Sequence, residues 1–130
     1  MRKMNALKLK AEFEMQVTKD DLDDILFEAL NAGGVAEWAD RVVAVGGKLG
    51  ERICEQISLG GTLSIHERIG GAWHELTLEK MKTGIEQYLR ESCHVHVEDG
   101  RFVPGDMTAI DADTIVQYAI FGRGIGGSQP

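Results

Sequence analysis

Two tryptophans lie close to arginines in the sequence, and such pairs can bind ligands. Trp38 precedes Arg41 by one helical turn, and Trp73 follows Arg68 across a pair of glycines. An indole plane beside a guanidinium group can hold a planar anion or a side chain of a partner protein. Together with Arg52, these residues form the predicted ligand- or partner-binding set. Core packing is the competing interpretation for Trp38, and a surface cation–π pair is the competing one for Trp73.

The densest cluster of potential metal ligands is formed by Cys93, His94 and His96. In a strand, the two histidines share one face and Cys93 points to the other, which leaves too few ligands for a metal site. His66 or His74 completes such a site only if the central hairpin lies alongside. An edge strand with solvent-facing histidines is the simpler interpretation, so we predict neither a metal nor a cofactor.

Other motif matches in the sequence lack the context that their chemistry requires. Residues 122–127 satisfy G-x-G-x-x-G, but a helical pattern precedes them where a dinucleotide site needs a strand. The acidic run over residues 20–24 is typical of a solvated helix amino terminus, where negative charge is favourable. Asp111 and Asp113 are two positions apart and do not face each other on a helix. We therefore predict no catalytic residue, and a protein that is not an enzyme.

Length and charge restrict the class of protein further. The chain has 130 residues, with 14 Lys and Arg against 21 Asp and Glu, and a formal net charge of −7. This length supports one modest core, so we predict a single domain over residues 1–122 and a flexible tail over 123–130. The acidic surface disfavours general nucleic-acid binding and anionic membranes. No apolar run approaches the roughly 20 residues of a membrane span, and we predict two free thiols and a cytoplasmic location.

The first third of the sequence changes from a strand pattern to a helical one. Strict alternation of apolar and polar residues predicts a long strand over residues 7–17. Thr18 then caps a predicted helix that ends near residues 31–34. From Val35 to Leu59 the apolar spacing is helical but is interrupted by two glycines. The sequence leaves open whether this segment is one kinked helix or two helices.

A hairpin is predicted over residues 62–77. The pair Gly70 and Gly71 suits a tight two-residue turn, which would place Arg68 opposite Trp73 and His66 opposite Glu75. Helical patterns follow, one capped by Thr77 and one that starts near Thr108 or Asp111 and ends at Gly122; a short strand pattern lies between them.

These elements predict one α+β domain. A small antiparallel sheet, made of the long N-terminal strand and the hairpin, is packed by four to five amphipathic helices. A sheet of this size leaves its edges open, and open edges promote pairing between chains. We therefore expect a homo-oligomer.

Several segments of the sequence resemble a family of small uncharacterised proteins found in phages and prophages of gut Firmicutes. The resemblance extends over residues 17–122 and implies no particular activity or catalytic residue. It is carried by WADRV at 38–42, LGERICEQIS at 49–58, GGTL at 60–63, LTLEK at 76–80, IDAD at 110–113 and VQYAIFG at 116–122.

The resemblance implies a phage accessory protein that acts in the cytoplasm of a bacterial host cell. By analogy, such proteins often bind a host defence protein or trap a small nucleotide-like signal. The expected function is therefore a non-enzymatic binding protein that counteracts host defence by one of these two routes. Two alternatives remain open: a metal-assisted hydrolase that uses the Cys93, His94 and His96 region, and a structural or assembly component of a virion.

Overall fold

A computed structural model describes the main elements of the chain. The described residues are 16–31, 34–91, 97–98, 101–102 and 108–122. Most of the predicted strand over residues 7–17 lies outside them, as do the predicted tail over 123–130 and the potential metal ligands at 93–96. These predictions, and the single domain ending at residue 122, therefore stay predictions.

The described elements combine helices with a small antiparallel sheet, and the predicted α+β class is confirmed. Strands β1, β2 and β3 form one sheet in that order, and β4 pairs with β5. The elements are α1 (Lys19–Asn31), β1 (Ala39–Ala44), β2 (Leu63–Glu67), β3 (Trp73–Leu76), α2 (Leu78–Glu91), β4 (Val97–Glu98), β5 (Arg101–Phe102) and α3 (Ala109–Phe121).

The prediction of one or two helices between Val35 and Leu59 is wrong. Val35–Glu37 and Ile53–Glu55 are single 3₁₀ turns, and β1 lies between them and pairs with β2. Val42 and Val43 suit an extended chain, and cross-strand pairing with β2 outweighs the local helical spacing. Within the described residues the sheet is therefore packed by three α-helices and not by four or five.

The hairpin forms as predicted, but its register differs by two residues. Glu67 donates its amide to the carbonyl of Ala72, so residues 68–71 form the loop and His66 lies opposite Trp73. The loop is longer because Arg68 is bonded to the start of β1: its amide donates to the carbonyl of Trp38. The prediction that Arg68 faces Trp73 is therefore wrong. Side chains alternate between the two faces of a strand, so a register shift of two residues leaves each hairpin side chain on its predicted face.

One face of the sheet, here called the inner face, packs against the helices. Its strand residues Leu63, Ile65 and Leu76 are fully buried. Helix α3 packs between α1 and α2 and also contacts β3. The helical apolar spacing predicts a buried stripe on each of the three helices, but Leu78 at the start of α2 belongs to such a stripe and is 44% exposed. The stripe residues that are buried are Ile25, Leu26, Ala29, Met81, Ile85, Tyr88, Ala112, Ile115, Val116 and Ala119. The opposite side of the sheet, the outer face, carries Arg41, Val43, His66 and Trp73.

The acidic start of α1 is more buried than a solvated cap would be. Asp21 accepts the amide of Thr18 at 2.9 Å, while its own amide donates to the Thr18 hydroxyl, so the predicted Thr18 cap is confirmed. Asp23 accepts the hydroxyl of Ser58 at 2.6 Å and the ammonium group of Lys19 at 2.9 Å. Both carboxylates are buried and hydrogen-bonded, so they stabilise the fold locally.

Helix α3 begins with a reciprocal cap between Thr108 and Asp111, each of which accepts the amide of the other. Replacement of Thr108 by alanine is expected to lower the free energy of unfolding by about 1 kcal/mol, because the Asp111 amide loses its acceptor. Urea unfolding measures this loss. Thr83→Ala removes a hydroxyl from the middle of α2 and is the control. An equal effect of both substitutions would show that the cap contributes nothing specific.

Candidate functional site

Three strands each place one side chain in a single row on the outer face. Arg41 of β1 lies opposite His66 of β2, which lies opposite Trp73 of β3. The Trp73 ring reaches both neighbours: its centroid is 5.0 Å from the guanidinium carbon of Arg41 and 4.7 Å from the imidazole centroid of His66. These distances are typical of cation–π and tilted aromatic contacts. We call these three residues the outer-face row.

Asp40 fixes the orientation of His66 within this row. The strand pairing is irregular between Ala39 and Arg41, and this β-bulge brings the Asp40 side chain to His66. The carboxylate accepts a hydrogen bond from Nδ1 of His66 at 2.7 Å. That hydrogen bond lowers the pKa of Asp40. The His66 ring therefore contacts Asp40 through Nδ1 and the Trp73 ring in a tilted arrangement.

The row leaves one cation and one aromatic surface available to a ligand. Among the ion pairs of the described residues, none involves Arg41. Trp73 is 46% exposed although it contacts two side chains. A partly exposed indole beside a guanidinium group that lies outside the described ion pairs can stack a planar ligand and bind its negative charge.

Of the five predicted binding residues, the structure brings together only Arg41 and Trp73. Trp38 donates Nε1–H to Asp113 at 2.8 Å and packs edge-on against Phe121, which agrees with its core interpretation. The Arg68 guanidinium group donates to the backbone carbonyls of Ala36 and Ala39 and so ties down the start of β1.

Arg52 lies in a different part of the chain, at the start of the 3₁₀ turn Ile53–Glu55. Its guanidinium group is 3.6 Å from the carboxylate of Glu55, and its side chain is 59% exposed. It belongs to no described cluster of aromatic residues. The hypothesis that Arg41, Arg52 and Arg68 form one positive pocket therefore has no support in the described contacts.

The sequence interpretation missed Asp40 and His66. Asp40 lies in the segment that was expected to be helical, so its position beside a hairpin could not be inferred. His66 was placed opposite Glu75 because the turn was assumed to be two residues long. The sequence does contain a signal for this arrangement, because residues 38–42 (WADRV) can also be read as a strand. That reading places Asp40 and Arg41 beside the hairpin.

The other described histidine lies on the opposite side of the sheet. His74 pairs with Ile65 on the inner face, bonds to Glu67 at 2.5 Å and packs edge-on against Phe121. His66 and His74 therefore point to opposite faces and cannot jointly complete a metal site. Over the described ranges, no group of three His, Cys, Asp or Glu side chains is placed to hold a metal ion.

The described hydrogen bonds of both histidine rings go to carboxylates, and none joins a ring to a hydroxyl or thiol. Cys54 is buried, and burial raises the pKa of its thiol, which disfavours the nucleophilic thiolate. Within the described residues, no helix is both long and apolar enough to cross a membrane.

No protein-family model, curated protein or solved structure matches this chain.

Proposed function

We propose that this chain is a non-enzymatic binding protein, and that the outer-face row binds a planar anionic ligand of the nucleotide type. The observation that carries the proposal is the stack of Arg41 on Trp73 beside His66. It joins an exposed aromatic surface to a cation that forms no ion pair among the described residues, although its charge acts on the neighbouring carboxylate of Asp40. Nucleotides offer the two complementary features, a planar base and a negatively charged phosphate.

Both parts of the row contribute to such binding. Stacking of a base on an aromatic side chain is worth about 1–3 kcal/mol. An arginine can donate two parallel hydrogen bonds to a phosphate group. The net charge of −7 opposes long polyanions. A small ligand fits this charge better than a nucleic-acid strand, because it meets the local charge of Arg41 and contacts less of the acidic surface.

The biological part of the proposal rests on the resemblance to phage and prophage proteins. In that setting, the protein acts in the cytoplasm of a bacterial host and counteracts a defence system by sequestering its nucleotide-like signal. Sequestration requires binding alone, which is consistent with a stacked row whose histidine is bonded to a carboxylate.

A second candidate, the blocking of a host protein, is favoured by one further observation. Val43 and Val45 of the outer face are 46% and 47% exposed, on the same side as Arg41. Tryptophan and arginine beside aliphatic side chains are typical of the energetic centre of protein interfaces. The same surface would then be occupied by a partner's side chains.

Nucleotide binding is expected to depend on Trp73 and Arg41 and not on Arg52. Titration with adenosine monophosphate should shift the NMR signal of the Trp73 indole N–H. Calorimetric titration measures the affinity of all variants, including Trp73→Ala, which lacks that signal. Trp73→Ala and Arg41→Ala should each weaken the affinity about tenfold, because one removes stacking and the other removes the charge. Arg52→Ala is the matched control, since it removes an exposed arginine that lies outside the row.

Adenosine and inorganic phosphate separate the two contributions. The affinity for adenosine should still fall when Trp73 is replaced by alanine. The affinity for inorganic phosphate should still fall when Arg41 is replaced by alanine. If adenosine, guanosine, cytidine and uridine monophosphates all leave the Trp73 signal unchanged, the small-ligand proposal is wrong. The same variants then test binding of protein partners in pull-down experiments.

A further inference from the structure

Strand β1 has one edge that no described strand covers. It lies at the end of the three-stranded sheet, with β2 on one side only. The amide of Val45 donates to the carbonyl of Thr62 at 2.9 Å. The backbone amides and carbonyls of the odd-numbered residues in this segment therefore point toward β2. Since amides alternate along a strand, the amides and carbonyls of Val42 and Ala44 point away from the sheet. These groups can pair with another strand.

We infer that β1 pairs with β1 of a second copy in antiparallel orientation, about a twofold axis at Val42. This inference does not depend on the ligand proposed above. The outward-facing backbone groups of Val42 determine the register: Val42 pairs with Val42 of the second copy, and Ala44 then lies opposite Asp40, the residue at the β-bulge. The two three-stranded sheets then form one continuous sheet.

The side chains of β1 are complementary to themselves in this register. On the outer face, Arg41 lies opposite Val43 of the second copy, so the aliphatic part of the arginine covers an exposed valine. Asp40 and Arg41 give the strand one charge of each sign, and no two like charges lie directly opposite each other. A strand from a different protein would need side chains that fit the order of charged and apolar residues in β1. A second copy of β1 has this order by symmetry.

A cavity beside the same edge supports the pairing. It has a volume of about 180 Å³ and adjoins the first half of β1. A strand that pairs with β1 lies next to this cavity, whose lining includes the half-buried residues Leu30 and Val42. Its lining residues are Leu30, Val35, Ala36, Ala39, Asp40, Arg41 and Val42.

The pairing would give the outer face a different shape. A twofold axis between antiparallel strands of one sheet stands perpendicular to that sheet, so both outer faces lie on the same side. The two rows of Arg41, His66 and Trp73 then run side by side across the axis. The dimer then has one continuous outer surface. Near its centre lie two copies of Arg41, each stacked on Trp73 of its own chain.

The first test is sedimentation equilibrium of the full chain with Ala44→Pro. Wild-type protein is expected to dimerise with rising concentration. Proline removes the outward amide of residue 44 and leaves the bonds to β2 intact, so it should weaken dimerisation about tenfold or more without loss of fold. Glu75→Pro, which removes an outward amide from β3 at the other edge of the sheet, is the control and should leave dimerisation unchanged.

The second test measures the register directly. In a Cys93→Ser background, Val42→Cys should form a disulfide-linked dimer under oxidation, because paired residues on the axis are about 5.5 Å apart between Cα atoms. Phe27→Cys, at an exposed position on α1, should not. The inference is overturned if wild-type protein stays monomeric at every concentration, if Glu75→Pro and not Ala44→Pro weakens the dimer, or if Val42→Cys fails to cross-link.

Discussion

Replacement of Gly84 by alanine should lower the free energy of unfolding by about 2 kcal/mol or more. Gly84 is a buried residue of α2 at its contact with α3. A Cβ atom there would lie 2.7 Å from the carbonyl oxygen of Ile115 and 2.8 Å from the amide nitrogen of Ala119. Both are backbone atoms of a helix, so they cannot move aside as a flexible side chain would.

The direction of this effect is informative because alanine normally favours a helix. In an exposed helix the same substitution stabilises by about 1 kcal/mol. At Gly84 the overlap with α3 outweighs this gain, and the two helices must separate. Urea unfolding with Gly84→Ala and with the exposed Lys82→Ala on the same helix measures the difference. A Gly84→Ala protein as stable as the wild type would show that the helices are not packed this closely.

Loss of the Asp113 carboxylate is expected to have an effect of similar size. Asp113 is 9% exposed and accepts Trp38 Nε1–H at 2.8 Å and the Gln117 amide group at 2.7 Å. Asp113→Ala leaves the Trp38 indole N–H without this acceptor, which should lower the free energy of unfolding by about 2–3 kcal/mol. Asp113→Asn keeps an oxygen that can accept from Trp38 and should cost much less.

The same carboxylate makes stability depend on pH. Burial raises the pKa of Asp113 in the folded protein above its ordinary value of 3.8, although its two hydrogen bonds oppose this shift. The folded state therefore holds this proton more tightly than the unfolded state. Its contribution to stability is fully present below pH 3.8 and is lost as the pH rises through the raised value.

The difference between wild type and Asp113→Asn isolates this contribution. Asp40 and Glu55 have lowered pKa values and act in the opposite direction, but they are common to both proteins. Relative to Asp113→Asn, the wild type should lose stability between pH 3.8 and the raised pKa. Unfolding curves across acidic pH test this. A difference that stays constant with pH would mean that Asp113 is not desolvated in the folded state.

The surroundings of Asp113 illustrate a limit of sequence interpretation. The helical pattern of α3, its start near Thr108 or Asp111 and its end at Gly122 could be predicted, because capping and periodicity are local properties. Nothing local indicates that Trp38, 75 positions away, donates to this carboxylate. Likewise, α2 could be predicted from its apolar spacing, but the packing role of Gly84 depends on α3.

The sheet shows the same division between local and distant information. The hairpin was predicted because its glycines and alternating residues are neighbours in the sequence. Its register was not, since Arg68 is held by carbonyls of Ala36 and Ala39. The residue spacing of β1 suits a helix as well as a strand, so the local pattern alone predicts the wrong structure. Pairing with β2 selects the extended form, and that pairing is not a property of the segment itself.

The sequence by itself determined the α+β class, the three described helices with their buried stripes, the hairpin, and two of the residues in the proposed site. These features follow from capping, periodicity and composition, which act over a few residues. Only the tertiary structure decided that Arg41 and not Arg68 stacks on Trp73, and that Asp40 orients His66. Those contacts join three strands, and their geometry depends on a bulge and a loop length that arise only when the strands pair.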